Sequence, residues 1–245
     1  WELNQKGRNN VIIGGNLWLK MGNRNILNAI DLSTLGLDRI EEDESGFRIG
    51  CMATLRDIEM HEGLNKEFQN LFKEAVRHIV GVQFRNCATV GGSIFPKLGF
   101  SDVLTAFLAC DTQVILYKKG EVSLREFIYM PLDNDILTHI YVKKDGRKTA
   151  YESFRMTETD FPTLTCAMAM VDGRFETVLG ARPKHAEVVI DEELADSLSK
   201  EDVASYAKRV IDKLQYGSNI RGSKQYRKQL SKVLISRCIS RLTEE

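Results

Sequence analysis

Several shortages in this sequence each exclude a class of protein. There are 4 prolines and 18 glycines among 245 residues, too few for a collagen-like or disordered chain. Neither sign of charge is in excess, since 34 Lys and Arg balance 34 Asp and Glu. A general nucleic-acid or polyanion binder needs a basic surplus, so that class is set aside. Zero net charge also leaves little colloidal repulsion, which suits stable association with a partner. Cys51, Cys87, Cys110, Cys166 and Cys238 are scattered without CxxC spacing. Five free thiols in a reducing cytoplasm is the simplest reading, because metal or cluster ligation needs clustered thiolates. The longest near-apolar runs, Val103–Cys110 and Cys166–Val171, fall far below the roughly 18 residues that span a bilayer, so no membrane segment is expected.

The usual catalytic signatures are missing as well. His61, His78, His139 and His185 form no HExxH pattern, and there is no GxSxG elbow, GxGxxG fingerprint or GxxxxGK[ST] loop. No general acid, general base or metal ligand is assigned. The carboxylates of Glu41–Glu44 read as a solvated turn. Lys143, Lys144, Arg147, Lys148 and the basic residues Arg221, Lys224, Arg227, Lys228 and Lys232 read as solvated faces.

The length suits one large domain or two ordinary ones. Val11–Ile13 is a β-branched run ending at Gly14-Gly15, with Asn16 placed to cap a short helix through Leu17, Trp18, Leu19 and Met21. Thr54 and Asp57 predict a capping box, and Leu64–Ile79 carries apolar residues at helical spacing. Asn86–Ile94 is too glycine-rich for a helix. Ser101–Cys110 is helical in pattern, and Thr112–Tyr117 and Ile136–Val142 are strands. After Asp145-Gly146 three strands are predicted, Lys148–Thr157, Leu164–Val171 and Arg174–Leu179, the last two joined by the hairpin signal Asp172-Gly173. Two long helices follow, Ser199–Leu214 and Ser223–Leu242, the second with apolar positions at Tyr226, Leu230, Val233, Leu234 and Cys238. The chain begins at Trp1, and further N-terminal sequence is expected upstream.

Two glycine pairs stand out. Val11-Ile12-Ile13-Gly14-Gly15-Asn16-Leu17-Trp18 and Thr89-Val90-Gly91-Gly92-Ser93 each follow apolar or β-branched residues and lead into a polar side chain. Paired glycines let backbone N–H groups face an anion with no Cβ in the way. Each pair taken singly is a tight turn; two together suit a diphosphate, one on each side. Asp102, ten residues beyond Gly92, is either a helix-start acid or an acceptor for sugar or ribityl hydroxyls.

Taken in order, these segments resemble the FAD-binding subunit of the molybdenum hydroxylases, the xanthine dehydrogenase and carbon monoxide dehydrogenase medium-chain family. The resemblance rests on Ile13-Gly-Gly-Asn-Leu17, Ala88-Thr-Val-Gly-Gly-Ser-Ile94, Ser101-Asp102 and Leu108-Ala-Cys-Asp-Thr-Gln-Val-Ile-Leu116. It continues through Tyr151-Glu-Ser-Phe-Arg155 and the closing segment Gly222–Arg237. It implies an α+β chain: a two-lobed FAD-binding fold of the vanillyl-alcohol-oxidase (PCMH) type over residues 1–143, with a break near 50, and a smaller C-terminal domain of antiparallel strands and helices over residues 144–245.

The implied cofactor is FAD. Val11, Ile12, Ile13, Gly14, Gly15, Asn16, Leu17 and Trp18 would line the first diphosphate loop, and Thr89, Gly91, Gly92 and Ser93 the second. Asp102 would hold flavin-side hydroxyls. Ile79 falls where the family often places an aromatic against the flavin, and Leu137 and Arg155 fall near the isoalloxazine. The implied partners are a two-iron two-sulfur subunit and a molybdopterin-containing subunit, with NAD as electron acceptor and a xanthine dehydrogenase-like complex as the commonest setting. Phe95–Phe100 departs from the family's small Ala/Ser/Pro-rich link, and Met156–Thr159 is poor in arginine. A flavin-free scaffold subunit and a nucleotide-binding α/β module are the alternatives.

Overall fold

The β-branched run at the N-terminus extends as expected. In the computed structural model, which describes residues 1–191 and 199–243, helix α1 (Glu2–Gln5) leads into β1 (Asn10–Ile13), paired in parallel with β2 (Asn28–Asp31), Ile12 opposite Ile30. The next strands, β3 (Ile40–Glu42) and β4 (Gly46–Gly50), enter a second sheet with β5 (Thr112–Leu116), β6 (Gly120–Ser123) and β7 (Leu137–Lys143). Its order is β3-β4-β7-β5-β6, antiparallel throughout. The divide between these two sheets therefore falls between Asp31 and Ile40, ahead of the break expected near 50, because β4 is held between β3 and β7.

Between β4 and β5 the chain makes six short helices: α2 (Leu55–Met60), α3 (Glu62–Glu67), α4 (Leu71–Val76), α5 (Val82–Arg85), α6 (Val90–Ile94) and α7 (Asp102–Leu108). A seventh, α8 (Leu124–Phe127), follows β6. The capping box of Thr54 and Asp57 is formed, each satisfying the other's main-chain N–H. The helix expected over Leu64–Ile79 is broken instead. Gln69 and Asn70 take positive φ (44° and 63°), and the Asn65 side chain caps the exposed ends, donating to the carbonyls of Glu59 and His61 and accepting from Lys73 N–H.

The third sheet follows, with β8 (Lys148–Phe154), β9 (Leu164–Val171), β10 (Arg174–Gly180) and β11 (Glu187–Ile190) antiparallel in the order β11-β10-β9-β8. β11 has no counterpart in the sequence reading, and β8 stops at Phe154, short of Thr157. Asp172 and Gly173 both take positive φ, the geometry of a tight hairpin turn. Helices α9 (Lys200–Asp212) and α10 (Lys224–Thr243) cover one face of this sheet. Residues 192–198 and 244–245, part of the expected C-terminal domain, lie outside the described residues.

Strand alternation explains why β9 reads as a continuous apolar run. Cys166 and Met168 face α9 and α10, whereas Ala167 joins the core built around the five-stranded sheet. Helix α7, buried at every residue, packs on the other face of β9 and β10. Gly180 makes room there, since a Cβ would lie 2.4 Å from the hydroxyl oxygens of both Thr105 and Thr165.

The basic residues divide more sharply than their spacing suggested. Arg227 is fully buried. Its guanidinium donates to the carbonyls of Thr163 (2.9 Å), Gly217 (3.1 Å) and Gly222 and to Asn219 Oδ1 (2.6 Å). Arg147 is buried too, donating to the Ala109 carbonyl at 2.6 Å and pairing with Asp145 and Glu176. Conversely, Tyr226 and Val233 of α10, expected on its apolar face, are exposed, and Arg227 and Ser231 lie inside.

Arg227→Met keeps most of the side-chain volume and leaves the Thr163 and Gly217 carbonyls without a donor, while Asn219 Oδ1 and the Gly222 carbonyl lose one of their two. Urea unfolding is expected to show a loss of about 3 kcal/mol or more, with an unchanged slope. An unchanged midpoint would contradict this account of the turn before α10.

Candidate functional site

The first glycine pair ends β1. Gly15 (φ +70°) and Asn16 (φ 55°) are left-handed, so Asn16 does not cap a helix, and only a short 3-10 turn, Leu19–Met21, follows. At Gly15 no side chain fits, because a Cβ would lie 1.8 Å from the Cys87 carbonyl oxygen. The amides of Gly14, Gly15, Asn16, Leu17 and Trp18 donate to no acceptor among the described residues. Consecutive free N–H groups around left-handed residues form a concavity suited to an anion.

The second pair behaves differently. Thr89 is extended and caps α6, its Oγ1 accepting from Gly92 N–H at 3.1 Å. The segment expected to be too glycine-rich for a helix is therefore one helical turn, stabilised by that cap and by its neighbours. Val90 and Gly91 donate to the Ala53 and Cys51 carbonyls, and Gly91 is buried, a Cβ there lying 2.7 Å from Cys51 O. The amides of this loop are thus already bonded within the protein. What it presents is the bare, exposed main chain of Gly92 beside the hydroxyls of Thr89 and Ser93. The two loops abut: a Cβ on Gly14 would lie 2.6 Å from Thr89 Oγ1 and 3.8 Å from Gly92 Cα.

Where they meet, a cleft of about 350 Å³ opens. Its walls include Gly14, Leu17, Trp18, Ile79, Thr89, Gly92, Ser93, Asp102 and Arg155, residues separated by up to 141 positions in sequence. Leu55, Phe84 and Val103 add an apolar interior of the kind that accepts a planar ring. Asp102 is buried at the start of α7, where Ser101 caps the helix. Its Oδ1 accepts from Tyr151 Oη and from Arg155 Nη2, both at 2.6 Å. Burial pushes the Asp102 carboxyl upward against the pull of the Arg155 guanidinium, and it pushes the Tyr151 hydroxyl well above its ordinary value. Arg155 is fully engaged, also donating to Ser153 Oγ and to the Asp160 carbonyl.

Across the cleft stands an aromatic triangle. Phe100 and Phe161 lie 4.3 Å apart, Trp18 and Phe100 5.3 Å, and Trp18 meets Phe161 edge-on at 5.8 Å. Sequence reasoning assigned no site role to Phe100, Asp160 or Phe161. The signal available was the aromatic Phe100 in a segment otherwise expected to be small, but its partners are remote in sequence.

Residues 1–142 match the FAD binding domain in molybdopterin dehydrogenase, and the chain belongs to that family. FAD is the family's cofactor. The uncharacterized protein YgfM of Escherichia coli K12 is 27% identical over 144 residues, 59% of this chain and 54% of that protein. The chain thus spans about half the length of that curated relative. The glyceraldehyde dehydrogenase medium chain of Sulfolobus acidocaldarius is 26% identical, covering 84% of this chain and 79% of its own length. In structure the fold is that of two solved chains, each covering 98% of this one and 92% of itself. One is from carbon monoxide dehydrogenase of Hydrogenophaga pseudoflava lacking the Mo-pyranopterin moiety (TM-score 0.85, 23% identity), the other from quinoline 2-oxidoreductase of Pseudomonas putida 86 (TM-score 0.87, 17% identity).

The cleft fits this cofactor class, with free amides for a diphosphate, a gap that a Cβ would close, and an apolar interior. Not every expected residue lies at it. Val11, Ile12 and Ile13 are half-buried strand residues behind the first loop, and Gly15 and Asn16 are exposed on it. Gly91 sits beneath the second loop. Leu137 is buried in β7 and does not line the cleft.

The two loops respond differently to an added methyl. Gly92→Ala meets only the Thr89 hydroxyl at 2.9 Å and the Gly14 carbonyl oxygen at 3.4 Å. It is expected to keep the thermal midpoint within a few degrees and to weaken FAD about tenfold, some 1.4 kcal/mol, by fluorescence titration. Gly91→Ala presses on Cys51 and is expected to lower the midpoint itself. The reverse pattern would contradict these placements.

Proposed function

We propose that this chain is the FAD-binding subunit of a multi-subunit molybdenum hydroxylase, with residues 1–143 as the FAD-binding domain and 144–245 as its C-terminal companion. Its partners in this reading are a two-iron two-sulfur subunit and a molybdopterin-containing subunit in the cytoplasm, with NAD as the final electron acceptor. The observation that carries the reading is the cleft that gathers Gly14, Leu17 and Trp18 of the loop whose amides are free, together with the bare Gly92, Asp102 and Ile79. Among the described residues the cysteines are free and form no group that could hold a metal or cluster. Among the described residues no helix is long and apolar enough to cross a membrane.

When bound, FAD supplies the redox chemistry. The chain's own residues bind and orient it. The amides of Gly14–Trp18 would hold the diphosphate, and Gly92 would let the chain approach it closely. Ser93 and Thr89 would offer hydroxyls at its edge, and Ile79, Leu55, Phe84 and Val103 would exclude water from a ring. The Asp102 carboxylate, steadied by Tyr151 and Arg155, would accept from a sugar or ribityl hydroxyl.

The purified chain should be yellow, or turn yellow on adding FAD with tight uptake by gel filtration. Anaerobic addition of NADH should then bleach the bound flavin within seconds. A chain that takes up no FAD would support the scaffold reading. Uptake without bleaching by NADH would point to another electron acceptor.

A further inference from the structure

We propose that Arg221 is a positioning residue for the aromatic wall of the cleft: by gripping Asp160 it seats Phe161 against Trp18 and Phe100 and so sets how firmly the cleft closes. The proposal rests on the reading of this cleft as the FAD site and goes beyond it, because Arg221 comes from the turn before α10 and does not line the cleft.

The grip is two-pronged. Arg221 Nε donates to Asp160 Oδ2 at 3.1 Å, and Nη2 donates to Oδ1 at 2.8 Å. A planar guanidinium matches a carboxylate in this manner, and a lysine would not reproduce it. The Arg221 guanidinium also lies 5.1 Å from the centre of the Phe161 ring. The main chain of the same segment is held from the other side, where Arg155 Nε donates to the Asp160 carbonyl at 3.1 Å. Asp160 Oδ1 additionally accepts from Phe161 N–H at 2.7 Å, so the carboxylate fixes the backbone that carries the ring.

Arg221 is itself held. Its N–H donates to Asn219 Oδ1 at 2.9 Å, the same oxygen that accepts from the buried Arg227 at 2.6 Å. Asn219 and Gly222 exchange main-chain hydrogen bonds across the turn. The path from the buried Arg227 through Asn219, Arg221 and Asp160 to Phe161 is therefore continuous. The ring it ends on is partly exposed, as is Trp18, so the wall is fixed by this path, by the main-chain bonds at Asp160 and by the ring contacts. The hydrogen bonds from Arg221 hold the Asp160 carboxyl below its ordinary value.

The test uses the full chain with Trp1→Phe, which leaves Trp18 as the one tryptophan. Acrylamide quenching of Trp18 is read without flavin, and the rate of FAD release is read on dilution. Arg221→Met and Asp160→Asn are each expected to raise quenching and to speed FAD release about tenfold, as for loss of a charge-assisted pair, with the thermal midpoint within a few degrees. The double variant is expected to be no worse than either single one, and Arg221→Lys to recover only part.

Unchanged quenching and release in both single variants would overturn the proposal, as would additive effects in the double variant. Loss of the fold in both would make the pair a folding element and would overturn it too. If the parent chain binds no FAD, the reading of the cleft fails, and Trp18 quenching alone then decides whether Arg221 holds the wall.

Discussion

Main chain pressed against main chain at Gly15 and Cys87 is the constraint on which the site depends. Any side chain at Gly15 would collide with the Cys87 carbonyl, so only glycine lets the end of β1 lie down on the segment leading into α6. That contact sets the first loop beside the cleft, with its amides bonded to no acceptor among the described residues. It also brings Gly14 over Thr89 and Gly92. The glycines are thus required twice, for the left-handed turn and for the close approach. An anion at this point would supply the acceptor that Gly14–Trp18 lack among the described residues.

A second constraint joins the two halves of the chain. The four-stranded sheet is buried on both faces, by α9 and α10 on one and by the core around α7 on the other. One polar link crosses this junction at the cleft: Asp102 of α7 with Tyr151 and Arg155 of the β8 region. Breaking a buried ion pair by removing one partner costs about 3–5 kcal/mol, so the group is retained in a complete state. Asp102 therefore has two duties, holding the junction together and presenting a carboxylate at the cleft. Nucleotide-binding clefts in two-lobed proteins sit at such junctions because each side can contribute part of a concave wall.

Most of the strands were legible in the sequence, since alternation and turn signals act locally. The capping box at Thr54 was legible for the same reason. The failures share a cause. The helical run from Leu64 is broken at Gln69-Asn70, beside the Asn65 side chain that bonds the main chain of Ile58, Glu59, His61 and Lys73, and periodicity does not register that. The turn at Val90–Ile94 is helical because Cys51 and Ala53 accept its first amides, a partnership across some forty residues. Arg147 and Arg227 look solvated beside other basic residues, and only the fold supplies the buried carbonyls they satisfy. Gly14, Gly92 and Asp102, singled out by the glycine pairs and the family resemblance, line the cleft. The aromatic triangle was not legible, because Trp18, Phe100 and Phe161 come from three distant segments.

The central claim is that the amides of Gly14–Trp18 receive the diphosphate of one dinucleotide. It is tested most directly by amide NMR on the chain stripped of flavin, comparing FAD with riboflavin, which carries no diphosphate. Large shifts at Gly14, Gly15, Asn16, Leu17 and Trp18 with FAD, and little change there with riboflavin at saturation, are the predicted result. Equal shifts with both ligands, or shifts that leave these five amides unmoved, would contradict the account.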